Sequence, residues 1–397
     1  MLSLHSCPLG NLQSRDTGGM GVYIREVAVE MGKKGHLVDI YTRTHGPEDE
    51  PIVQLGQNTR LIHLRAGEDR DIHKLMVYRH VPSFACNLEN FRKRADLSYD
   101  LVVSHYWLSG CAGEYLQRWW NVPHVITFHT LGAIKNAIGI GENEPELRIE
   151  TEKHLVRDCH RTIATTAKEK EELVVRYGAL PDKIAVIPCG VNLDLFKPAD
   201  KEKAKQELGL GDDKIVLYVG RIEPLKGVDQ LLRAMTYLQN GQRIKLLIVG
   251  GDENSREEIE RLQKLSQALH VERLVAFPGM IKHNMLPRVY SAADVCVIPS
   301  YYESFGLVPL ESLACGTPVV ATDVGDLENI VRQGETGYVV RDNAPYHLAE
   351  KIALVLSRSR SGTESAGLIR ESVTGFGWSN IARRIVEQYR EVTAHCG

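Results

Sequence analysis

The sequence lacks the markers of most specialised protein classes. It has neither a C-x-x-C pair nor an H-E-x-x-H stretch, and its fifteen histidines are dispersed, so no zinc site is expected. The eight cysteines are scattered. Cys189, Cys296 and Cys315 lie in or beside apolar runs, as small buried hydrophobes do, which suits a reduced, cytoplasmic protein. No apolar run approaches the roughly 18 residues of a membrane span. The opening MLSLHSCPLG has neither a basic n-region nor a long h-region, so no export signal is expected. A net charge of −3 and a pI near 6.6 offer no basic surface to nucleic acid. There is no repeat of solenoid period and no low-complexity tract. What remains is ordinary globular composition, 43% hydrophobic and 25% charged, in 397 residues, enough for two α/β domains each with its own core.

The most informative stretch is SYYESFGLVPLESLACGTPVVATDVG, Ser300 to Gly325. The run DVCVIPS before it reads as a buried parallel strand. Pro309 sets the register of a helix starting near Leu307, because proline is tolerated only in a first turn. Gly316 fits the C-terminal cap, Pro318 stops the helix, and VVAT opens the next strand. Glu303 stands in the loop and Glu311 in the first turns, on either side of the helix start. A helix N-terminus favours a phosphate. A phosphate at Gly306 and Leu307 leaves both carboxylates free to accept hydrogen bonds from hydroxyls, as a nucleotide-sugar requires. The bland reading makes Glu303 a solvated loop charge and Glu311 a partner of the helix dipole.

Along the chain, strands alternate with helices, which predicts parallel sheets. A short first strand, LSLH, is followed by a glycine-rich loop, Asp16 to Gly21, reading DTGGMG, whose backbone can approach a ligand closely. A helix and the strand LVDIYT follow. Pro47 to Glu89 reads as irregular and basic. LVVSHY and HVITFHT are strands ending in polar residues. Ligands in open parallel sheets sit beyond the carboxyl ends of strands, so His105, Tyr106, His129 and Thr130 are placed for function. Arg148 lies in a polar stretch that becomes a helix. After Val191 the chain turns charged, which puts a domain boundary near Phe196. The second domain opens with the strand KIVLYVG and the loop RIEPLKG, whose Arg221 and Lys226 flank a proline-stiffened turn. Placed against the Gly306 helix start, they would neutralise a diphosphate; the alternative is two surface cations. WSNIARRIVEQYREV is an amphipathic helix with Ile381, Ile385, Val386 and Tyr389 on one face.

ESFGLVPLESLACGTPVVATDVG resembles the donor-site signature of the retaining glycosyltransferases of family 4. The likeness extends through SLHSCPLGN, DTGGMGVYIREVA, SHYWLSG, FHTLGAIKN and GRIEPLKG to nearly the whole chain. Within that family these motifs look like the subgroup acting on inositol 3-phosphate in mycothiol synthesis, with sucrose-phosphate synthases as near relatives. The resemblance implies an α/β GT-B fold, two Rossmann-like domains with parallel sheets facing across a crevice. Residues 1–195 would bind the acceptor and 196–375 the nucleotide-sugar, and the helix in 376–397 would cross back to the first domain.

By the same resemblance, a UDP-sugar donor falls on His5, Gly19, Arg221, Lys226, Glu303, Ser304, Phe305, Gly306, Leu307 and Glu311, with the backbone near Ile281 at the uracil. A phosphorylated acceptor falls on Asp16, Thr17, Gly18, Gly19, Lys74, Tyr106, Thr130 and Arg148. His129, Arg221, Lys226 and Glu303 would serve catalysis. Gly21 stands where the subgroup usually has asparagine, which removes a hydrogen-bonding side chain near the acceptor. The implied reaction moves glucose or N-acetylglucosamine with retention, the leaving diphosphate taking the acceptor proton. The first acceptor is 1D-myo-inositol 3-phosphate and the alternative fructose 6-phosphate. No D-x-D motif stands at a strand end, so no catalytic divalent metal is required, and Mg2+ is left at most a peripheral site. A homodimer is compatible with this reading. A non-catalytic sugar-binding protein and a nucleotide-sugar epimerase of the same fold are the competing classes.

Overall fold

The computed structural model describes residues 1–9, 18–68, 70, 72–141, 143–238, 243–252, 255–357 and 363–394. The chain forms two compact units. One comprises most of Met1–Pro188 together with Trp378–Gly397, and the other Cys189–Gly377. The division thus falls at Cys189, ahead of the change of composition at Phe196. The intervening residues are tied into the second unit: Arg370 donates to the carbonyls of Leu193 (2.7 Å) and Ala314 (2.8 Å), and Phe196 packs edge-on against His283 and Tyr290.

The first unit holds an eight-stranded sheet, ordered β3-β4-β2-β1-β5-β6-β7-β8. In chain order these are Leu2–Ser3, Val38–Arg43, Ile52–Gly56, Thr59–Leu64, Val102–His105, His124–Thr127, Arg161–Ala164 and Ile184–Val186. β5 and β6 are buried at every residue, as strands covered by helices on both faces must be. All pairings are parallel except β3 with β4 at one edge. That hairpin corrects the irregular reading of Pro47 to Glu89. The runs around Val53 and Leu61 pair across a turn in which Asn58 takes φ 57, a conformation asparagine tolerates. Helices Lys74–Arg79 and Val81–Arg94 complete the segment.

The first strand is shorter than LSLH. Leu4 leaves the ladder because its N–H donates to Ser109 Oγ at 2.9 Å. Gly18 to Gly21 lie in the first turn of the helix Gly18–Lys33 rather than in a loop, and Asp16 and Thr17 fall outside the described residues. The helix Trp378–Ala394 packs on Gly18–Lys33, burying Trp378, Ile381, Ile385, Val386 and Tyr389 at i, i+3 and i+4 spacings.

The second unit holds a six-stranded, wholly parallel sheet, ordered β11-β10-β9-β12-β13-β14. Its strands are Lys214–Val219, Ile244–Val249, Val275–Gly279, Val295–Ile298, Val319–Thr322 and Gly337–Val340. Counted from β9, this is the doubly wound order 3-2-1-4-5-6, whose direction of progression reverses between β9 and β12. The first unit reverses between β1 and β5. Ligands of such sheets bind beyond the carboxyl ends of the two strands flanking the reversal. His5 and Tyr106 follow β1 and β5; Arg221, Lys226 and Glu303 follow β9 and β12. Among the described residues no helix is long and apolar enough to cross a membrane, and the described cysteines form no disulfide with one another.

Candidate functional site

In the second unit, β9 ends at Val219 and the chain makes a short 3-10 turn, Pro224–Lys226. Gly227 closes it at φ 64, where a Cβ would stand 2.0 Å from the carbonyl oxygen of Pro299. Only glycine lets the turn lie this close to the end of β12. The N–H of Tyr301 donates to the carbonyl of Leu225 at 2.9 Å, so the two loops form one surface. On it Lys226 Nζ lies 2.7 Å from Glu303 Oε1, which also accepts from Ser300 Oγ at 2.9 Å. Arg221 is exposed and paired with Glu223 at 3.0 Å.

The helix read from Pro309 and Gly316 runs Val308–Ala314, with Leu307 as its N-cap and Gly316 at φ 79 beyond its end. Phe305 is buried beneath the loop, Gly306 takes φ 87, and Ser304 and Leu307 are half-buried. The expectation that both carboxylates stand free needs correction. Glu303 is engaged by Lys226 and Ser300. Glu311 is buried, its two oxygens held by His283 Nε2 at 3.0 Å and by the hydroxyl of Tyr290 at 2.9 Å. The first helical turn points Glu311 back into the unit, where a carboxylate must find donors. Ile281 is half-buried two residues before His283, so the loop read as the base contact also carries a partner of Glu311.

In the first unit, the ring of His5 lies 4.3 Å from that of Tyr106, and the Arg148 guanidinium sits 4.8 Å above the same tyrosine. Tyr106 has φ 75 and His129 φ 63, at the ends of neighbouring strands. Left-handed backbone at a bulky residue costs on the order of 1–3 kcal/mol and concentrates at functional positions. Arg148 is 1% exposed. It pairs with Glu152 at 2.7 Å and Glu144 at 2.9 Å, and donates to the carbonyl and hydroxyl oxygens of Thr130 at 2.8 and 3.0 Å. Burial opposes the charge of Glu144, but Arg148 and Lys135 outweigh it and hold the carboxyl down to about 2. Lys74 opens the helix Lys74–Arg79 and is half-buried. Burial, then Lys74, His45, Arg148 and His129, keep the pKa of His5 well below the ordinary histidine range.

Sequence reasoning missed the partners rather than the positions. Arg148 and Glu152 stand at i and i+4 on the helix Glu146–Asp158, a spacing that signals an ion pair, with Glu144 just ahead of that helix. Nothing local marks Tyr23, whose ring meets both His105 and His129 edge-on, or Arg43, buried and donating to the carbonyls of Glu68 (2.6 Å) and Arg70 (2.7 Å) just ahead of Lys74. Among the described residues one group, Glu114, His154 and Asp158, brings metal-type ligand atoms within 4.8 Å of one another, and its Glu114 is already paired with Arg118.

Burial also keeps His105, His124 and His129 neutral. It brings His129 and His124 down to about 3, and with help from His129 holds His105 well below the ordinary histidine range. Below an ordinary histidine pKa of about 6.5 the unfolded chain takes up protons that the folded unit refuses. Stability is therefore full above that pH and falls as pH drops toward 3. All four tryptophans, Trp107, Trp119, Trp120 and Trp378, lie in this unit, so their fluorescence reports it alone. The urea midpoint read from that fluorescence is expected to be lower at pH 5 than at pH 7.5. An unchanged midpoint would refute the assignment of neutral buried histidines.

Two doubly wound units, each with polar and charged side chains gathered at its reversal point, are the architecture of a GT-B glycosyltransferase. A solved sucrose-phosphate synthase from Thermosynechococcus elongatus superposes with a TM-score of 0.90 at 33% identity, covering 99% of this chain and 98% of that one. The Anabaena protein HepE in complex with UDP-glucose shares the fold with a TM-score of 0.77 at 18% identity, covering 98% of this chain and all of that one. The family model described as Glycosyltransferase Family 4 matches residues 17–195, and that described as Glycosyl transferases group 1 matches 200–366. A D-inositol 3-phosphate glycosyltransferase of Mycobacteroides abscessus is 38% identical over 99% of this chain and 89% of its own length. The chain belongs to glycosyltransferase family 4 and is an enzyme of that kind, which removes the non-catalytic sugar-binding reading.

Proposed function

We propose that this enzyme moves a hexosyl group, glucose or N-acetylglucosamine, from a UDP-sugar to a phosphorylated polyol with retention of configuration, in the cytoplasm and without a catalytic metal. The first acceptor is 1D-myo-inositol 3-phosphate. The observation that carries the reading is the stack at the reversal point of the first sheet, where the Arg148 guanidinium lies 4.8 Å above the strained Tyr106 and His5 packs 4.3 Å from the same ring, with Lys74 helping to lower the pKa of His5. A phosphate dianion suits such a centre, since charge-assisted hydrogen bonds from cations and a phenol can satisfy its oxygens. On the donor side, Lys226 and Arg221 stand where a diphosphate would need positive charge as it leaves. The likeness to sucrose-phosphate synthase supports fructose 6-phosphate as the second acceptor, and the same clamp would serve it.

The test sets UDP-glucose and UDP-N-acetylglucosamine against each phosphorylated acceptor and its dephosphorylated form, following UDP release. Hydrogen bonds to a charged group are worth about 1.5–3 kcal/mol each, so two of them predict a preference of at least about 100-fold in kcat/KM for the phosphorylated acceptor. Lys74→Ala should erase much of that preference. Equal use of both forms by the wild type would mean a neutral acceptor.

A further inference from the structure

We propose that His105 is a positioning residue that fixes His129 in the tautomer protonated at Nδ1, so that His129 offers its remaining nitrogen as a hydrogen-bond donor and not as a base. His105 ends β5, and His129 follows the neighbouring β6. Their rings lie 5.2 Å apart, and His105 Nδ1 is 3.0 Å from His129 Nε2. One proton serves that bond, and each neutral ring carries one, so only two arrangements exist.

The far nitrogen of His105 decides between them. His105 is 1% exposed, and its Nε2 has no hydrogen-bond partner among the described residues. If His129 donated from Nε2, His105 would accept at Nδ1 and carry its own proton on Nε2, burying an unpaired N–H. If His105 donates from Nδ1, its Nε2 is left with a lone pair. Orphaned buried donors are rarer in folded proteins than under-satisfied acceptors. The second arrangement therefore holds, and it leaves the proton of His129 on Nδ1. Tyr23 braces the pair, with its ring 5.8 Å from His105 and 5.1 Å from His129, and Trp378 backs Tyr23 at 5.6 Å. The φ of 63 at His129 further restricts the approach of its ring.

The consequence for catalysis rests on the proposed reading that His129 faces the substrates. A histidine held as the Nδ1–H tautomer can grip a hydroxyl as donor but cannot take the acceptor's proton through that nitrogen. This agrees with a proton that leaves with the diphosphate.

The full-length enzyme labelled with 15N-histidine gives the test through long-range 1H–15N correlation spectra at neutral pH. His129 is expected to show a protonated Nδ1 and a bare Nε2. In His105→Phe it should revert toward the Nε2–H form that free imidazole prefers, and kcat should fall about tenfold, the equivalent of one hydrogen bond. In His105→Asn, whose side-chain amide can donate in place of Nδ1–H, both the spectrum and kcat should largely return. A wild-type His129 protonated at Nε2 would overturn the proposal whatever the variants do. The spectra need no substrate. A protein without transferase activity on any phosphorylated acceptor would overturn the functional reading and leave the tautomer standing.

Discussion

Lys226→Ala is expected to lower kcat by about two to three orders of magnitude, a rise in barrier of about 2.7–4 kcal/mol, as when a preorganised partner of developing charge is removed. Lysine at this position does two things. It ends the turn after β9, and it neutralises Glu303 at 2.7 Å. Alanine removes the cation and also leaves Glu303 with Ser300 alone, so the surface facing a leaving diphosphate loses a positive charge and exposes a negative one. The double variant Lys226→Ala, Glu303→Gln removes that uncovered charge together with a group the resemblance assigns to catalysis, so its kcat should not exceed that of Lys226→Ala. Arg221→Ala should act in the same direction through its own charge. Steady-state kinetics at saturating donor measure all three. Unchanged kcat in both single variants, with folding intact, would remove these two cations from the mechanism.

The largest expected effect on stability is that of Arg148→Ala. Removing one partner of a buried ion pair costs about 3–5 kcal/mol, because the other charge stays behind unpaired. Here that partner is Glu152, fully buried, whose remaining donors are the N–H of Gly132 at 3.0 Å and the hydroxyl of Tyr177 at 2.8 Å. Glu144 retains Lys135. Adding Glu152→Gln should return a good part of the stability, since the isolated charge then goes. Urea unfolding followed by tryptophan fluorescence compares the two, and a loss below about 1 kcal/mol in Arg148→Ala would contradict the geometry. This liability makes Lys74→Ala the cleaner probe of acceptor phosphate recognition.

Much of this architecture could be read from local signals. Pro309 and Gly316 bracket a helix to within a residue, because proline and glycine act through their own backbone. Runs such as VVSH and VCVI declare buried parallel strands, because both faces must be apolar. The β3–β4 hairpin was not legible, since its edge strand β3 is largely unburied and carries no apolar alternation, and its turn rests on an asparagine without an adjacent glycine. The site was legible as positions but not as partnerships. That Lys226 meets Glu303, 77 residues on, or that Glu311 is already held by His283 and Tyr290, follows from strand order and loop packing, which no local spacing encodes.

The first unit is interrupted by the whole of the second. Its last helix, which brings Trp378 against Tyr23 and so against the histidine pair, leaves the ribosome only after the intervening Cys189–Gly377. At about 5–20 residues per second, that is a wait on the order of 10–40 s. During it the helix Gly18–Lys33 lacks the apolar face it will bury. In the cell the earlier half of this enzyme therefore cannot be finished until the whole of the later half has been made.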